Sequence, residues 1–461
     1  MQLLPKLCMA ATAGDGDTSN GHSSSSSNKQ LATAVSSSSS STVSTSSSSA
    51  AAVSEASSSS TSLPSLPSLS AAATMSASRA ASFAHVTTLL PLSTSAAAAA
   101  AIAAAADGLV VARPACVSLH DLSTLEATSS TSDSSADATS SAGSVKCAAH
   151  LNAGGSNAVF VTGHQDGRLR VWRLSARAPD RLRLAASLPT LADRLRRFPV
   201  PSNHVAVRRH HRRLWIEHAD AVSGVATSAD GRLLFSASWD RTLKVWALPS
   251  LRCLQSLPAH DDAVNAVAAA PDGTVYTGSA DRRVRVWAPR PASDKSKRRS
   301  RPVYHLVATL TRHAAAVNAV AVGCGGHALY SGGNDRCVVV WEREDSATHM
   351  VAVGALRGHR RAVLSVACAA GGLVVSGAAD QTVRAWKRAP DGRGYACVAF
   401  IEGHAAAVRS VAAAPVVLPV QKEKRRHDGE EEEWRLCSAS FDGEVRVWSL
   451  RVASSSSPAR L

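Results

Sequence analysis

The chain has 461 residues, with 50 Lys and Arg against 35 Asp and Glu, which gives a formal net charge of +15. No apolar run reaches the roughly 20 residues that cross a bilayer. The nine Cys form no CxxC pair and follow no regular spacing, which is typical of reduced thiols in an intracellular protein. These features argue against a membrane-spanning, a secreted or a disulfide-stabilised protein.

A Ser-rich tail precedes any periodic pattern. Between Gly21 and Ser70, 25 of the 50 residues are Ser, and such a segment buries too little apolar surface to offset the entropy of ordering. We therefore expect residues 1–82 to form a disordered, low-complexity tail. A phosphorylated regulatory tail and a plastid transit peptide are the two alternatives. Residues 452–461 are expected to form a disordered C-terminus.

From about residue 145 the chain repeats itself. Each copy predicts an apolar strand, a tight turn that contains Asp, and a second strand that ends in Trp, as in SASWDRTLKVW. In every copy the Asp lies six residues before the Trp, and a Ser or Thr lies four residues before the Asp. A His precedes five of the six copies. The copies end at Trp172, Trp246, Trp287, Trp341, Trp386 and Trp448.

Two strands joined by a short polar turn form a hairpin. The predicted strands are apolar on both faces, so neighbours must cover both faces, and radial stacking of the hairpins achieves this with short edges only. A buried His, hydroxyl, Asp and Trp can then satisfy one another as a structural network. The predicted network residues are His218, Ser236, Asp240, Trp246, His260, Thr277, Asp281, Trp287, His313, Ser331, Asp335, Trp341, His359, Ser376, Asp380, Trp386, His404, Ser438, Asp442 and Trp448.

The repeat length and the His…Asp…Trp pattern resemble the WD40-repeat β-propeller family. The repeat Trp residues lack the following Asp that names the family, and the one literal Trp-Asp pair, Trp239-Asp240, lies in a turn. The resemblance implies an all-β, seven-bladed WD40 β-propeller over residues 83–451, with a degenerate first blade. We expect inserts at about residues 123–144, 175–215, 290–303 and 421–433.

The first blade is inferred from weaker signals. Residues 83–92 predict a strand, and the resemblance implies that this strand closes the ring at the outer edge of the last blade. His120 then stands where a complete repeat has Trp, and Pro114 stands where it has Asp. We therefore expect the first blade to have lost its network.

A finer resemblance covers the connection between the second and third blades. The run RRHHRRLWIEHADAVSGVA, followed by SASWDRT and AHDDAVN, is similar to the plant JINGUBANG-like group of WD40 proteins, which carries a basic insertion of this kind. The resemblance implies a non-catalytic scaffold or adaptor that binds protein partners in a plant regulatory pathway. We expect it in the cytoplasm, with the nucleus as a second compartment and the plastid as a lesser alternative.

The sequence predicts no catalytic site. The His, Ser and Asp sets resemble catalytic triads, but they recur five times and are expected to be buried, whereas an enzyme needs one exposed nucleophile beside an oxyanion site. No phosphate-binding loop or dinucleotide fingerprint is present, so we expect no cofactor and no small-molecule substrate. A metal site is not predicted at His204, His210, His211 and His218, because the neighbouring arginines repel a cation.

Most of the positive charge lies between Arg168 and Arg213, where 13 Arg face two acids. Arg holds phosphate or carboxylate in a bidentate fork, so an acidic protein, a nucleic acid or an anionic lipid surface would fit; a solvated loop is the plain alternative. No aromatic residues interleave for base stacking, so sequence-specific nucleic-acid recognition is not expected. The candidate anion-binding residues are Arg196, Arg197, Arg208, Arg209, Arg212 and Arg213.

The resemblance also implies that the residue before each turn Asp points to the rim of the central channel, where propellers bind partners. Two of these six residues are large aromatics, a residue type that anchors interfaces, although covering the blade top is an equally simple role. The predicted protein-binding face comprises Trp239, Phe441, Asp261, Asp262, Arg360 and Arg361. Two alternatives to a scaffold are a nucleic-acid- or ribonucleoprotein-associated factor that uses residues 168–213, and a substrate receptor of a ubiquitin ligase.

Overall fold

A computed structural model describes most of the repeat region, and all described residues belong to one compact unit, Ser62–Leu461. Most of the predicted tail and the residues after Ala453 lie outside the described residues. The described ranges are 66–69, 81–89, 101–104, 108–113, 116–131, 144–151, 159–175, 178, 180–208, 211–248, 250–290, 302–344, 349–389, 394–416 and 431–453.

Seven four-stranded antiparallel sheets, here called blades 1 to 7, make up the fold. From the inner to the outer edge, blade 1 contains β2 (Ala101–Ala104), β3 (Gly108–Ala112), β4 (Val117–Asp121) and β5 (Ala127–Ser130). Blade 2 contains β6 (Val145–Leu151), β7 (Val159–His164), β8 (Leu169–Leu174) and β9 (Leu182–Leu188). Blade 3 contains β12 (Val222–Thr227), β13 (Leu233–Ser238), β14 (Thr242–Ala247) and β15 (Arg252–Pro258).

The remaining blades repeat the same order. Blade 4 contains β16 (Val264–Ala269), β17 (Val275–Ser279), β18 (Arg283–Pro289) and β19 (Tyr304–Thr311). Blade 5 contains β20 (Val317–Val322), β21 (Ala328–Gly333), β22 (Cys337–Arg343) and β23 (Met350–Arg357). Blade 6 contains β24 (Val363–Cys368), β25 (Leu373–Ala378), β26 (Val383–Arg388) and β27 (Tyr395–Ile401). Blade 7 contains β28 (Val408–Pro415), β29 (Glu431–Ser440), β30 (Val445–Ala453) and β1 (Ala81–Leu89).

The blades form a closed ring, because the innermost strand of each blade packs against the innermost strands of both neighbours. Seven hydrophobic clusters fill the seven spaces between adjacent blades. Glycine allows a close approach between blades at Gly278, where an added Cβ would lie 2.7 Å from the side chain of Val317 in the next blade. The prediction of a seven-bladed propeller is confirmed.

The ring is closed by β1, the strand predicted at residues 83–92, of which residues 90–92 lie outside the described residues. β1 pairs antiparallel with β30 from Ala81, opposite Val452, to Leu89, opposite Val445. The His85 ring meets Trp448 edge to face, with 4.9 Å between their centroids. The first and last parts of the propeller are therefore held together by backbone hydrogen bonds along one sheet.

Blade 1 has the strand register of the complete repeats but lacks the Trp of their network. His120 pairs with Leu109 as Trp246 pairs with Leu234 in blade 3, so His120 occupies the Trp position. Its ring contacts the Ser118 hydroxyl at 2.9 Å. Pro114 lies outside the described residues.

The structure differs from the predicted inserts in three places. Residues 175–215 include the outer strand β9, so the true insertion begins after Leu188, and residues 123–144 include the outer strand β5. Both are outer-edge strands, which lie outside the Asp and Trp spacing of the repeat hairpin, so the repeat pattern did not mark them. The predicted insert at 421–433 overlaps β29, which begins at Glu431, and the rest of it lies outside the described residues. Most of the predicted insert at 290–303 also lies outside the described residues.

The insertion between blades 2 and 3 is folded. It contains helix α1 (Leu191–Arg197), a 3-10 turn (Pro201–Asn203) and the hairpin of β10 (His204–Arg208) with β11 (His211–Leu214). The Thr190 hydroxyl accepts a hydrogen bond from the Asp193 amide at the start of α1, which satisfies one of the free N–H groups of the first turn. Two further 3-10 turns, Cys324–Gly326 and Ala370–Gly372, connect strands within blades 5 and 6.

One piece of the predicted disordered tail is ordered against the outside of the ring. Residues 66–69 run beside β23, with a parallel bridge between Ser68 and Ala355. The Leu69 amide donates to the Ala355 carbonyl at 3.0 Å, and the Tyr395 amide of blade 6 donates to the Leu69 carbonyl at 2.9 Å. The Leu69 side chain fills the space above Gly354, which has no Cβ. The expectation of disorder throughout residues 1–82 is wrong for this segment, because Leu66 packs against the apolar cluster between blades 4 and 5 and Leu69 packs against the cluster between blades 5 and 6.

Candidate functional site

The predicted network residues meet as four-membered sets inside blades 3 to 6. In blade 4 the His260 ring contacts the Asp281 carboxylate at 2.8 Å and the Thr277 hydroxyl at 2.8 Å. The Trp287 indole N–H donates to the same hydroxyl at 2.9 Å. Equivalent contacts occur in blades 3, 5 and 6.

Blades 7 and 2 carry looser versions of the set. In blade 7 the His404 ring contacts the Ser438 hydroxyl at 2.7 Å, but its other nitrogen lies 3.7 Å from the Asp442 carboxylate. In blade 2 the His comes from the strand itself, since the His164 ring contacts the Thr162 hydroxyl at 2.8 Å. The turn Asp of blade 2, Asp166, pairs with Arg170 at 3.0 Å instead.

The electrostatics of the sets match a structural role. Burial lowers the pKa of His218, and the neighbouring Asp240 opposes this effect only in part. Burial by itself would raise the pKa of Asp240, but the attraction and hydrogen bond from His218 and the Thr242 hydroxyl bring the pKa well below its usual range. The His rings, hydroxyls and indoles of the sets are buried, so none of these hydroxyls is presented to a substrate.

The turn before the third strand of each blade carries the network Asp, and the residue before that Asp lies on one end of the ring, here called the top face. The Trp239 amide donates to the Ala221 carbonyl, and the Phe441 amide donates to the Ala407 carbonyl. The four other top-face residues at this turn position are polar or small: Gln165, Ala280, Asn334 and Ala379.

Each of the two top-face aromatics is covered by a cation from the innermost strand of a blade. The Lys146 ammonium lies 5.4 Å from the centroid of the Trp239 ring. The Arg409 guanidinium lies 5.9 Å from the centroid of the Phe441 ring. Contacts of this kind add to binding and packing when the cation is partly desolvated.

Arg409 links the two aromatic and cation pairs. Its guanidinium donates to the carbonyls of Val145 at 3.3 Å and of Lys146 at 2.8 Å. Arg409 belongs to blade 7 and Lys146 to blade 2, so the guanidinium spans the Ala-rich blade 1. We call Phe441, Arg409, Lys146 and Trp239 the channel-rim patch, since they form one connected surface around the mouth of the channel.

The other predicted binding residues lie on the top face with different surroundings. Asp261 pairs with Arg283 at 3.0 Å and with Arg285 at 3.3 Å, and the Asp262 carboxylate accepts from the amide of Ala263. The remaining two predicted residues, Arg360 and Arg361, are exposed to solvent.

The structure divides the predicted anion-binding arginines into two groups. Arg197 contacts the Asp193 carboxylate at 3.3 Å and stacks 4.5 Å from the centroid of the Trp215 ring, so it holds the insertion together. Arg213 donates to the His218 carbonyl at 3.1 Å. Arg196 and Arg212 are exposed. The side chains of Arg208 and Arg209 lie outside the described residues.

The groups of potential metal ligands among the described residues overlap the buried networks. Two groups of potential metal ligands, His313, Asp335 and Cys337 in blade 5 and a second group at His404 in blade 7, belong to the buried sets. His204 lines a cleft in the insertion, and the His218 ring contacts Asp240 in the network of blade 3.

The seven described cysteines have free thiols. The only described α-helix has seven residues, and no described helix has the length and hydropathy to cross a membrane.

Two functional features were not predicted from the sequence. The first is the cation on each aromatic. Lys146 of blade 2 meets Trp239 of blade 3 only through the ring, and Arg409 meets Phe441 within blade 7 through a neighbouring strand of the same sheet. The second is helix α1, whose signal was available. Thr190 and Asp193 have the spacing of a helix start, and Leu191, Leu195 and Phe198 follow with the i, i+4, i+7 period of one helix face.

Comparisons with known proteins agree with the fold. The model of the WD domain, G-beta repeat, matches five segments, residues 210–247, 251–288, 304–342, 350–387 and 395–449. The chain is 26% identical over 210 residues to Protein ROOT INITIATION DEFECTIVE 3 of Arabidopsis thaliana. The aligned region covers 45% of this chain and 41% of the relative. The chain is also 28% identical over 140 residues to Transducin beta-like protein 3 of Mus musculus. This aligned region covers 30% of this chain and 16% of the relative.

A third relative is the Guanine nucleotide-binding protein subunit beta of Schizosaccharomyces pombe, 38% identical over 68 residues, or 14% of this chain and 22% of the relative. The chain thus spans less than half the length of these relatives. Proteins with WD40 propellers generally act as protein-interaction scaffolds and are generally non-catalytic. The five matched segments fall on blades 3 to 7, so this chain contains WD40 repeats in five copies within a seven-bladed β-propeller.

Proposed function

We propose that this chain is a non-catalytic scaffold that binds a protein partner at the channel-rim patch. The single observation that carries the proposal is the pairing of both top-face aromatics with cations, Trp239 with Lys146 and Phe441 with Arg409. Aromatic and Arg side chains dominate the binding energy of protein interfaces. A partner with carboxylates beside apolar groups would meet both halves of this patch.

The setting of this function is part of the proposal. The plant JINGUBANG-like resemblance and the Arabidopsis relative support a plant regulatory pathway. The free thiols of the described cysteines are compatible with a reducing compartment, and we propose the cytoplasm, with the nucleus as a second location. The absence of enzymatic activity is likewise a proposal, supported by the burial of the His ring and the hydroxyl in every set.

The proposal is tested by co-purification of the tagged full chain from plant cells, with and without nuclease. The test variant is Trp239→Ala/Phe441→Ala. Phe400→Ala is the matched control, because Phe400 is 41% exposed against 40% for Phe441 and also carries an Arg, with Arg384 at 4.5 Å from its centroid, but lies on an outer strand.

We expect defined proteins that survive nuclease, disappear in the double variant and remain with Phe400→Ala. Loss of every partner on nuclease treatment would contradict the proposal and favour a nucleic-acid-associated factor. Partners that survive nuclease and are kept by the double variant would place the binding surface elsewhere on the propeller.

A further inference from the structure

The insertion between blades 2 and 3 presents an apolar stripe to solvent. Leu191, Leu195 and Phe198 are 69%, 63% and 67% exposed, the highest values among the exposed large hydrophobic residues of the described chain. They are spaced i, i+4 and i+7 and therefore share one face of helix α1 and its end. Contiguous exposed apolar surface of this kind usually marks an interaction site.

The stripe lines a cleft of about 770 Å³. The opposite sides of the cleft are formed by the β10–β11 hairpin, which contributes Arg212, and by the turn after β7, which contributes Arg168. We call this the insertion cleft. A volume of this size accommodates several side chains of a bound segment.

The insertion cleft is held in place by buried contacts. Trp215 donates from its indole to the Asn203 side chain at 3.1 Å, and its carbonyl accepts from the buried Lys244 ammonium at 2.6 Å. Arg194 on the helix pairs with Glu217 beyond the hairpin at 2.6 Å. The cleft is therefore a built feature of the fold, with helix and hairpin fixed to blade 3.

The charge left over in the cleft is positive. Its two described acids are already paired, Asp166 with Arg170 and Glu217 with Arg194. Arg168 and Arg212 are exposed, and the described residues provide no ion-pair partner for either side chain. Two uncompensated guanidinium groups thus flank an apolar stripe.

We propose that the insertion cleft docks an acidic amphipathic segment of a partner protein. Its apolar side chains would cover Leu191, Leu195 and Phe198, and its carboxylates would pair with Arg168 and Arg212. An acidic protein segment is favoured over nucleic acid because a phosphate backbone gains nothing from two exposed Leu side chains. This site is separate from the channel-rim patch and goes beyond the proposed function.

The test is binding of a fluorescent synthetic peptide of about 16 residues to the full chain. The peptide has Leu on one helix face and Glu elsewhere. One control peptide has the same composition with the Leu residues scattered around the helix, a second has Gln in place of Glu, and a third probe is oligouridine. The test variants are Leu191→Ser/Leu195→Ser/Phe198→Ser and Arg168→Gln/Arg212→Gln. Leu306→Ser and Arg252→Gln are controls at other exposed sites.

We expect each test variant to weaken binding of the acidic amphipathic peptide about tenfold or more, with an unchanged melting temperature because all five side chains are exposed. Both control peptides should bind the wild-type chain as weakly as the acidic amphipathic peptide binds the test variants. Leu306→Ser, Arg252→Gln and Trp239→Ala/Phe441→Ala should bind like wild type. The Trp239→Ala/Phe441→Ala variant separates this test from the proposed function, because the peptide can bind the insertion cleft whether or not the channel-rim patch binds a partner.

Three results would overturn the inference. One is equal binding of the scattered peptide, which would mean non-specific attraction. Another is tight oligouridine binding that Arg168→Gln/Arg212→Gln abolishes and the Ser variant keeps, which would assign the cleft to nucleic acid. The third is a concentration-dependent dimer in sedimentation that the Ser variant abolishes, which would assign the stripe to a second copy of this chain.

Discussion

At the scale of single residues, one hydroxyl in each complete blade organises the packing. Thr277 accepts from Trp287 and contacts His260, so an indole, an imidazole and a strand hydroxyl share one buried point. These groups would each be costly to bury alone, because an unpaired polar group inside a protein loses its hydrogen bonds to water. The same residue types that form catalytic triads therefore serve here as internal ties.

Replacing Trp287 by Ala should lower stability strongly. The side chain is only 3% exposed, and its removal leaves a cavity and an unpaired Thr277, so we expect a loss of about 3–5 kcal/mol in the free energy of unfolding. Chemical denaturation measures this loss. An effect as small as that of Phe400→Ala would contradict the burial of the network Trp.

Acid should destabilise the protein in two stages. The folded state lowers the pKa of His218 and His404 chiefly by burial, so the unfolded chain takes up these protons first as the pH falls below about 6.5. The network carboxylates Asp240, Asp281 and Asp335 also have lowered pKa values, and their contribution is lost as the pH falls below about 4.

The melting temperature should therefore be highest near neutral pH, decline below about pH 6.5 and decline further below about pH 4. The scan is repeated in high salt, which screens the repulsion of surface charges but not the buried pairs. A melting temperature that rises between pH 7 and pH 5 in high salt would show that the buried His residues do not contribute in this way.

At the scale of elements, the insertion shows where sequence patterns were sufficient and where they were not. Six strand, turn and strand hairpins follow from the Asp and Trp spacing, because that spacing reflects contacts within one blade. Helix α1 was obscured by its Arg-rich surroundings, although its cap at Thr190 and its apolar period were present. The order of residues 66–69 depends on contacts with the outer strands of blades 5 and 6, and no local pattern records such a contact.

Leu69→Asp should release the tail segment from the ring. The change puts a charge against Gly354 and the neighbouring apolar residues, which is costly without a partner. The amide of Ala355, which donates to the Pro67 carbonyl, and the amide of Tyr395 should then exchange hydrogen faster. Hydrogen exchange followed by mass spectrometry checks this, with Ser62→Asp as a control outside the segment.

Unchanged exchange at both amides in the Leu69→Asp protein would mean that the tail does not protect the outer edges of blades 5 and 6. Faster exchange across the whole ring would point to general destabilisation. The expected effect is confined to these two edges because the seven blades do not depend on the segment for their pairing.

At the scale of the whole molecule, the ring is closed by a strand from the start of the propeller. Removal of residues 1–80 should preserve the seven blades, whereas removal of residues 1–89 should expose the edge of β30 and separate His85 from Trp448. An unpaired edge strand promotes aggregation. Thermal melting and size-exclusion chromatography compare the two truncations, and equal stability of both would contradict closure by β1.

The six repeats were predictable from the spacing of residues along the chain, whereas the seventh blade and the closing strand were predicted from the resemblance to the WD40-repeat family. Of the channel-rim patch, only the two aromatic residues could be predicted from the sequence. Lys146 of blade 2 reaches Trp239 because the ring places blade 2 beside blade 3, and Arg409, in the same blade as Phe441, reaches the carbonyl of Lys146 across an Ala-rich blade 1. That arrangement is a property of the closed molecule, and it is the basis of the proposed scaffold function.

The most direct test of this function is partner capture by Trp239→Ala/Phe441→Ala, measured on the same preparation as its melting temperature. We predict that capture is lost while the melting temperature falls by less than about 2 °C, since both aromatics lie on the surface of the top face. Capture that is retained, or that is lost only together with a large fall in melting temperature, would contradict the channel-rim patch as the binding surface.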